Sequence, residues 1–337
     1  MKFFSFYSFL FCFLLFLSSK SFAFFTKSEV GREIFAFSKS FQSARNMALE
    51  RSASAFIVSD PSIMQLNPAA FIFNDSYHHL FSFHFQTGVF AENQGNLSYT
   101  RQLSTMSIQA SYGWLLYGDI EGYDEYGQPT GQVHSPQSQL FTLSSSIPLR
   151  LFRFGSTIKL ATDKLSGKLG DRTAIALAFD WGLVWTAKTN LYGFAFVARD
   201  FGALIRDYIQ DGDSEAYAMA QTYALSAFLK SRQVPRLSLF LENTLPRYSQ
   251  PALSLGLEYA LGDYLFLRSG FNRAWLDLSR DFKELFASHS RPTESYEARF
   301  FSLGLGLQLL SFDFDYTFSY LIQGLGVEHR FSLNFRI

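Results

Sequence analysis

From about Tyr77 to the last residue, the chain alternates apolar and polar positions in short runs separated by turn residues. "SFDFDYTFSY" is the clearest: Phe312, Phe314, Tyr316 and Phe318 interleave with Asp313, Asp315, Thr317 and Ser319. Successive side chains of a strand point to opposite faces, so one face is aromatic and the other acidic or hydroxylic. "MSIQASYGW" sets Met106, Ile108, Ala110, Tyr112 and Trp114 against Ser107, Gln109, Ser111 and Gly113. "TAIALAFDWGL" sets Ile175, Leu177, Phe179, Trp181 and Leu183 against Ala174, Ala176, Ala178, Asp180 and Gly182. Together with weaker runs, the pattern predicts roughly fourteen strands, several about ten residues long, the length that crosses a bilayer when tilted.

The non-apolar face decides which side is oily. It holds Gly, Ala, Ser, Thr, Asn and Gln with scattered charges, whereas a soluble sandwich usually shows lysine- and glutamate-rich outer faces. A closed membrane barrel needs a continuous apolar exterior and tolerates a polar, small-residue lumen. The expected fold is therefore all-β, a transmembrane antiparallel barrel. Phe83, Ile158, Phe314 and Leu333 should face lipid. Asp180, Glu258, Arg268, Asp313 and Asp315 should project into the lumen, since charges on the lipid face cost several kcal/mol near the midplane. A secreted carbohydrate-binding β-sandwich is the competing fold.

The ends of the chain read differently. "MKFFSFYSFLFCFLLFLSSKSFAFF" has Lys2, an apolar stretch from Phe3 to Leu17 and a small-x-small site at Ser21-Phe22-Ala23. It reads as a secretory signal peptide over residues 1–23, cleaved near Ala23. The one cysteine, Cys12, lies within it, so disulfide and thiol chemistry are not expected beyond it. Residues 24–75 lack strand alternation and are broken at Asp60-Pro61 and Asn67-Pro68. Such a segment ahead of the first strand is a periplasmic extension or a plug. A lumen enclosed by about fourteen strands would otherwise be open, which favours the plug. The barrel is expected over 76–337.

Composition narrows the chemistry. Basic and acidic residues are equal, 29 each among 337, so no nucleic-acid partner is indicated. Aromatics reach 18% and charged residues only 17%, yet no stretch beyond the signal peptide is long and apolar enough for a membrane helix. The six histidines, His78, His79, His84, His134, His289 and His329, show no zinc-type spacing. Asp211, Asp213 and Glu215 have calcium-loop spacing, but Ala216 and Thr222 stand where that loop needs glycine and glutamate. G-x-S-x-G is absent. Neither catalysis, nor a metal, nor a cofactor is expected.

The stretch "SARNMALERSASAFIVSDPSIMQLNPAAF" resembles the N-terminal signature of the PorV/PorQ family, within the FadL-like group of long-chain fatty acid transporters. The matching residues include Ser43, Ala44, Arg45, Asp60, Asn67, Pro68 and Ala69. "GLGVEHRFSLNF" and "SLGLEYALGDYLFLRSGFN" are similar to its later patterns. Glu50-Arg51 stand where that family has paired glycines, Pro61 replaces a second acid, Leu66 an aromatic and Ala70 a glycine. The resemblance implies an outer-membrane barrel of about fourteen strands with an N-terminal plug, in contact with outer-membrane lipid. It also implies one of two roles: passage or binding of a hydrophobic small molecule, or a non-transporting part of a type IX-like secretion system with protein partners. On the first role, Asp60, Asn67, Pro68, Ala69 and Phe71 would form the plug motif, and Ile63, Met64 and Leu66 would border the ligand.

Overall fold

The computed structural model describes residues 33–73, 77–87, 93–165, 172–208, 218–286, 299–321 and 326–337. Fourteen strands form the wall. The first seven are β1 (His79–Thr87), β2 (Asn93–Leu103), β3 (Met106–Leu116), β4 (Gln137–Pro148), β5 (Arg153–Lys164), β6 (Ala174–Thr186) and β7 (Tyr192–Arg206). The second seven are β8 (Thr222–Lys230), β9 (Leu237–Pro246), β10 (Ala252–Leu261), β11 (Leu265–Ala274), β12 (Arg299–Gln308), β13 (Phe312–Leu321) and β14 (Gly326–Arg336). Each pairs antiparallel with the next, and β14 pairs with β1 from His329↔Thr87 to Arg336↔Leu80. The ring is closed, which rules out the two-sheet sandwich. Closure leaves no strand edge to meet lipid.

The wall is apolar outward and polar inward. On β13, Phe314 is 40% exposed while Asp315 is 5% exposed. On β6, Phe179 and Trp181 are exposed and Ala178 and Asp180 are buried. Phe83 and Ile158 lie exposed on the same outer surface, and Leu333 is half-buried there. The exterior rings also touch one another across the ladder, as Tyr112 does Phe141 at 4.8 Å and Phe81 does Tyr99 at 4.9 Å. Such cross-strand aromatic pairs add a few tenths to about 1 kcal/mol each.

Because strands alternate in direction, alternate connections share a rim. One rim carries only short turns, 104–105, 149–152, 187–191, 231–236, 262–264 and 309–311. The other carries the long ones, including a hairpin of Ile120–Tyr123 with Pro129–His134. The connection after β11 contains a helix, here labelled α2, Trp275–Phe286. Phe282 is 63% exposed, and the residue turned into the protein is Asp277, 3.7 Å from Arg273. The side chains of Leu285 and Phe286 lie outside the described residues, as do Asp211, Asp213 and Glu215.

β7 departs from period two at its centre. It runs on to Arg206. Ala198 pairs with Trp181 and Phe201 with Phe179, so Arg199 and Asp200 together oppose Asp180. This is a β-bulge, with Asp200 at φ 60°. Both bulge side chains are buried, where strict alternation would have sent one of them to lipid.

The orientation of the wall predicts unequal tolerance. Phe314→Arg should cost about 2–4 kcal/mol if the site is near the midplane, and Phe314→Leu less than about 1.5 kcal/mol. Denaturant titration of the refolded barrel measures both. Equal loss would mean that Phe314 does not face lipid. Deleting Phe331–Ile337 removes most of the seam between β14 and β1. No heat-modifiable folded species should then form, and recovery of one would show that closure runs through another strand.

Candidate functional site

Residues 33–73 lie against the inward face of the wall on every side. Glu33 and Ile34 pair with Ala218 and Met219, just ahead of β8 at the long-loop rim. Phe73 leads to β1 at the short-turn rim, so the segment runs from one rim to the other. It is built from single turns, an uncapped one at Ala36–Lys39 and three capped ones. The Ser43 hydroxyl accepts from the Asn46 N–H at 3.1 Å and starts α1, Ala44–Ala48. The Asp60 carboxylate accepts from the Ser62 N–H at 3.0 Å and starts the turn Pro61–Gln65. The Asn67 side chain accepts from the Ala69 N–H at 3.0 Å and starts the turn Pro68–Ala70. Proline after each of the last two caps carries no N–H to leave unsatisfied.

Two adjacent residues of the segment that are not glycine adopt a left-handed backbone. Glu50 and Arg51 sit at φ 47° and 61°, the left-handed region that glycine enters without penalty. The segment here reverses behind α1, and the Glu50 carboxylate accepts a hydrogen bond from the Ser302 hydroxyl of β12. Elsewhere the glycines lie in the wall. A Cβ on Gly155 would collide with the Pro68–Ala69 backbone, and one on Gly182 with the Asn67 amide. Those two positions let the Asn67-Pro68 turn press directly on β5 and β6.

Side chains of the wall hold the segment through charge. Arg199 of the bulge donates to the Leu66 carbonyl at 2.8 Å, the Ser54 hydroxyl at 2.8 Å and Glu242 at 3.0 Å. Arg45 of α1 reaches Glu258 at 3.2 Å, and Arg268 joins Glu258 at 2.7 Å to Asp315 at 2.5 Å. Lys159 bridges Asp180 at 2.6 Å and Asp200 at 2.9 Å, and Asp200 accepts from the Ser38 hydroxyl at 3.1 Å. Arg153 donates to the carbonyls of Ala69 and Phe71 at 3.2 and 2.6 Å. Arg330 does the same to Ser40 and Gln42 at 2.8 and 2.9 Å. Paired and hydrogen-bonded, these charges meet the condition for burial.

The five charges expected in the lumen have different roles. Glu258 binds the segment through Arg45. Asp180, Arg268 and Asp315 bind other wall residues, and Asp313 pairs with Arg336. Arg199, Asp200 and Glu242 were missed. The bulge hides the first two from a period-two reading. Lys159 already stood on the polar face of "FGSTIKLATDK", so its signal was present.

The segment residues divide as well. Ile63, Met64, Leu66, Ala69 and Phe71 are fully or almost fully buried in one apolar cluster with Phe228 and Phe240 of the wall. Phe56 packs edge-on against Phe228 and Phe240 at 5.0 and 5.2 Å. Ile63 and Phe71 line neither of the two larger lumen cavities, and Met64 borders a void of about 20 Å³. A cavity of about 570 Å³ opens instead at the short-turn end, walled by Phe56, Ile57, Val58, Ile72, Phe73 and Phe266. Of the residues expected to border a ligand, Ile63 and Met64 are packed in the apolar cluster, and Leu66, in the same cluster, also borders a second cavity. The cavity of about 570 Å³ is bordered instead by apolar residues on either side of them in the segment, Phe56 to Val58 and Ile72 with Phe73. A second cavity of about 330 Å³ lies toward the long-loop rim, with Glu33, Lys39, Gln42, Leu66 and Gln250 on its walls.

Among solved structures, the chain is similar to the Ralstonia pickettii toluene transporter TbuX, with TM-score 0.59, 11% identity, 90% of this chain and 100% of that chain covered. It is similar also to the Pseudomonas putida toluene transporter TodX, with TM-score 0.54, 14% identity, 87% of this chain and 96% of that chain covered. At such identity the likeness is one of fold. No family model and no curated protein sequence matches the chain, so nothing beyond its own motifs carries the PorV/PorQ resemblance.

Arg199 predicts the cost of loosening the segment. Arg199→Met leaves Glu242, which is fully buried, without its cation, and should cost about 3–5 kcal/mol in denaturant titration. Adding Glu242→Leu should restore most of it. No recovery in the double variant would mean that the ion pair is not what Arg199 contributes.

Proposed function

We propose that this chain is an outer-membrane barrel that binds and passes hydrophobic small molecules, with residues 33–73 as a hatch between two cavities. The observation that carries the reading is the cavity of about 570 Å³ at the short-turn end, whose volume suits a small ligand. Its apolar side comes from Phe56, Ile57, Val58, Ile72 and Phe73 of the segment and from Phe266 and Leu307 of the wall. The likeness of the fold to two toluene transporters supports the same reading. Short turns at the rim where the chain enters and leaves the barrel match the periplasmic side of bacterial barrels.

The polar part of the cavity favours an amphiphile with an acidic head. The Lys230 ammonium lies 5.1 Å from the centre of the Phe56 ring and has no carboxylate at ion-pair distance among the described residues. A carboxylate seated there would pair with Lys230 while its tail lies on Ile57, Ile72 and Phe73. The Asn67-Pro68 turn supports this arrangement from behind, since Ser54 and Arg153 join it to the rest of the segment and to β5.

Vesicle uptake tests the reading. Vesicles carrying the protein should accumulate a fluorescent fatty-acid analogue faster than empty vesicles. Ile57→Asp should lower that rate by about tenfold or more, because the tail would meet a charge. Lys230→Met should weaken capture of the acidic analogue while sparing an uncharged hydrocarbon dye. Uptake identical with and without the protein, for acidic and uncharged probes alike, would overturn the transport role and leave a partner-binding barrel.

A further inference from the structure

The two rims differ in charge. The hairpin of the long-loop rim carries Asp119, Glu121, Asp124 and Glu125, and residues 117–136 contain no lysine or arginine. The short turns reverse this. They carry Arg150, Lys188, Arg232 and Arg236 against one acid, Asp263, which Arg236 holds at 3.1 Å. Arg101, on the last turn of β2, points outward beside them. Arg101, Arg150, Lys188 and Arg232 are all exposed and form no ion pair among the described residues. They occupy four successive connections on that rim, β2–β3, β4–β5, β6–β7 and β8–β9, and so make one basic arc.

Each cation sits beside exposed apolar side chains. Arg150 lies between Leu149 and Leu151, which are 53% and 66% exposed. Arg101 precedes Leu103 on the same outward column, and Arg232 precedes Val234. Tyr192 stands exposed just after the turn that carries Lys188. These side chains continue the apolar exterior of the wall, so the cations stand at the edge of the lipid-facing band. That is the level of phospholipid headgroups, where lysine and arginine attract anionic lipid.

We propose that this arc is a binding surface for anionic phospholipid: the four cations take the phosphate groups, and the neighbouring leucines and Tyr192 take the upper acyl chains. The inference rests on the membrane placement given above and is independent of what the barrel transports. An acidic protein would also meet the cations, but it would leave the apolar side chains beside the bilayer without a role.

Lipid retention tests it. The refolded full-length protein in neutral detergent is offered equal phosphatidylglycerol and phosphatidylethanolamine, and bound lipid is counted by native mass spectrometry. The protein should retain phosphatidylglycerol roughly tenfold or more over phosphatidylethanolamine. The combined variant Arg101→Gln, Arg150→Gln, Lys188→Gln and Arg232→Gln should lose that preference. Heat-modifiable migration confirms that the variant folds, and Lys283→Gln on the opposite rim should keep the preference. Equal retention of the two lipids by the unaltered protein, or an undiminished preference in the combined variant, would overturn the proposal. Binding of poly-glutamate without any preference for phosphatidylglycerol would overturn it in favour of an acidic protein partner. Absence of uptake by the unaltered protein, with its preference for phosphatidylglycerol present, would support this proposal and count against the transport reading alone.

Discussion

A backbone amide has no water to bond with in the hydrocarbon of a bilayer, and the organisation of this protein follows from that constraint. Every strand must have a neighbour on both sides, so the sheet closes from β14 to β1. Closure then assigns the two faces of each strand. The face toward lipid must be apolar, and the polar residues are left with the lumen, where they need partners as well. The segment 33–73 supplies many of them. Its carbonyls accept from Arg153, Arg199, Arg330 and Thr317, and its Arg45 answers Glu258. The lumen side chains and the segment therefore stabilise each other: without the segment these arginines would lose their carbonyl acceptors, and without the arginines the segment would bury unpaired carbonyls.

This mutual dependence explains why the segment needs so little regular structure of its own. It contains one short helix, Ala44–Ala48, and single turns begun by Asp60 and Asn67. Short pieces like these are unstable alone, because nucleating a turn costs more than its few hydrogen bonds return. Here the wall provides the missing contacts. Gly155 and Gly182 let the Asn67-Pro68 turn approach the strands, and Phe228 and Phe240 close around Phe56. The left-handed pair Glu50-Arg51 is held in the same way, by its surroundings rather than by its own preference.

The wall was legible in the sequence because period two is a local property. Phe314 beside Asp315 is enough to assign both faces, and the strand number follows from repeating the observation. The turns begun by Asp60-Pro61 and Asn67-Pro68 were legible for the same reason, since a cap acts within three residues. The contacts of the site were not. Arg199 and Asp200 share the inward face only because of the bulge at β7, and alternation alone places them on opposite faces. Ile63 and Phe71 are apolar whether they pack or border a cavity. Which of the two applies depends on Phe228 and Phe240, more than a hundred and fifty residues away in the chain. Ser38 and Asp200 are 162 residues apart and Arg45 and Glu258 are 213 apart, pairs that no spacing rule connects.

Amide hydrogen exchange of the refolded protein tests this account most directly. The Ala44 amide donates to the Ser332 hydroxyl at 2.7 Å, and the Asn67 and Ala69 amides are bonded within the buried turns. If the segment is packed against the inward face of the wall, amides across residues 43–71 should exchange on the same slow timescale as those of β10 and β13. Complete exchange of that segment at the earliest time points, with the strands still protected, would show that the lumen side chains do not hold it.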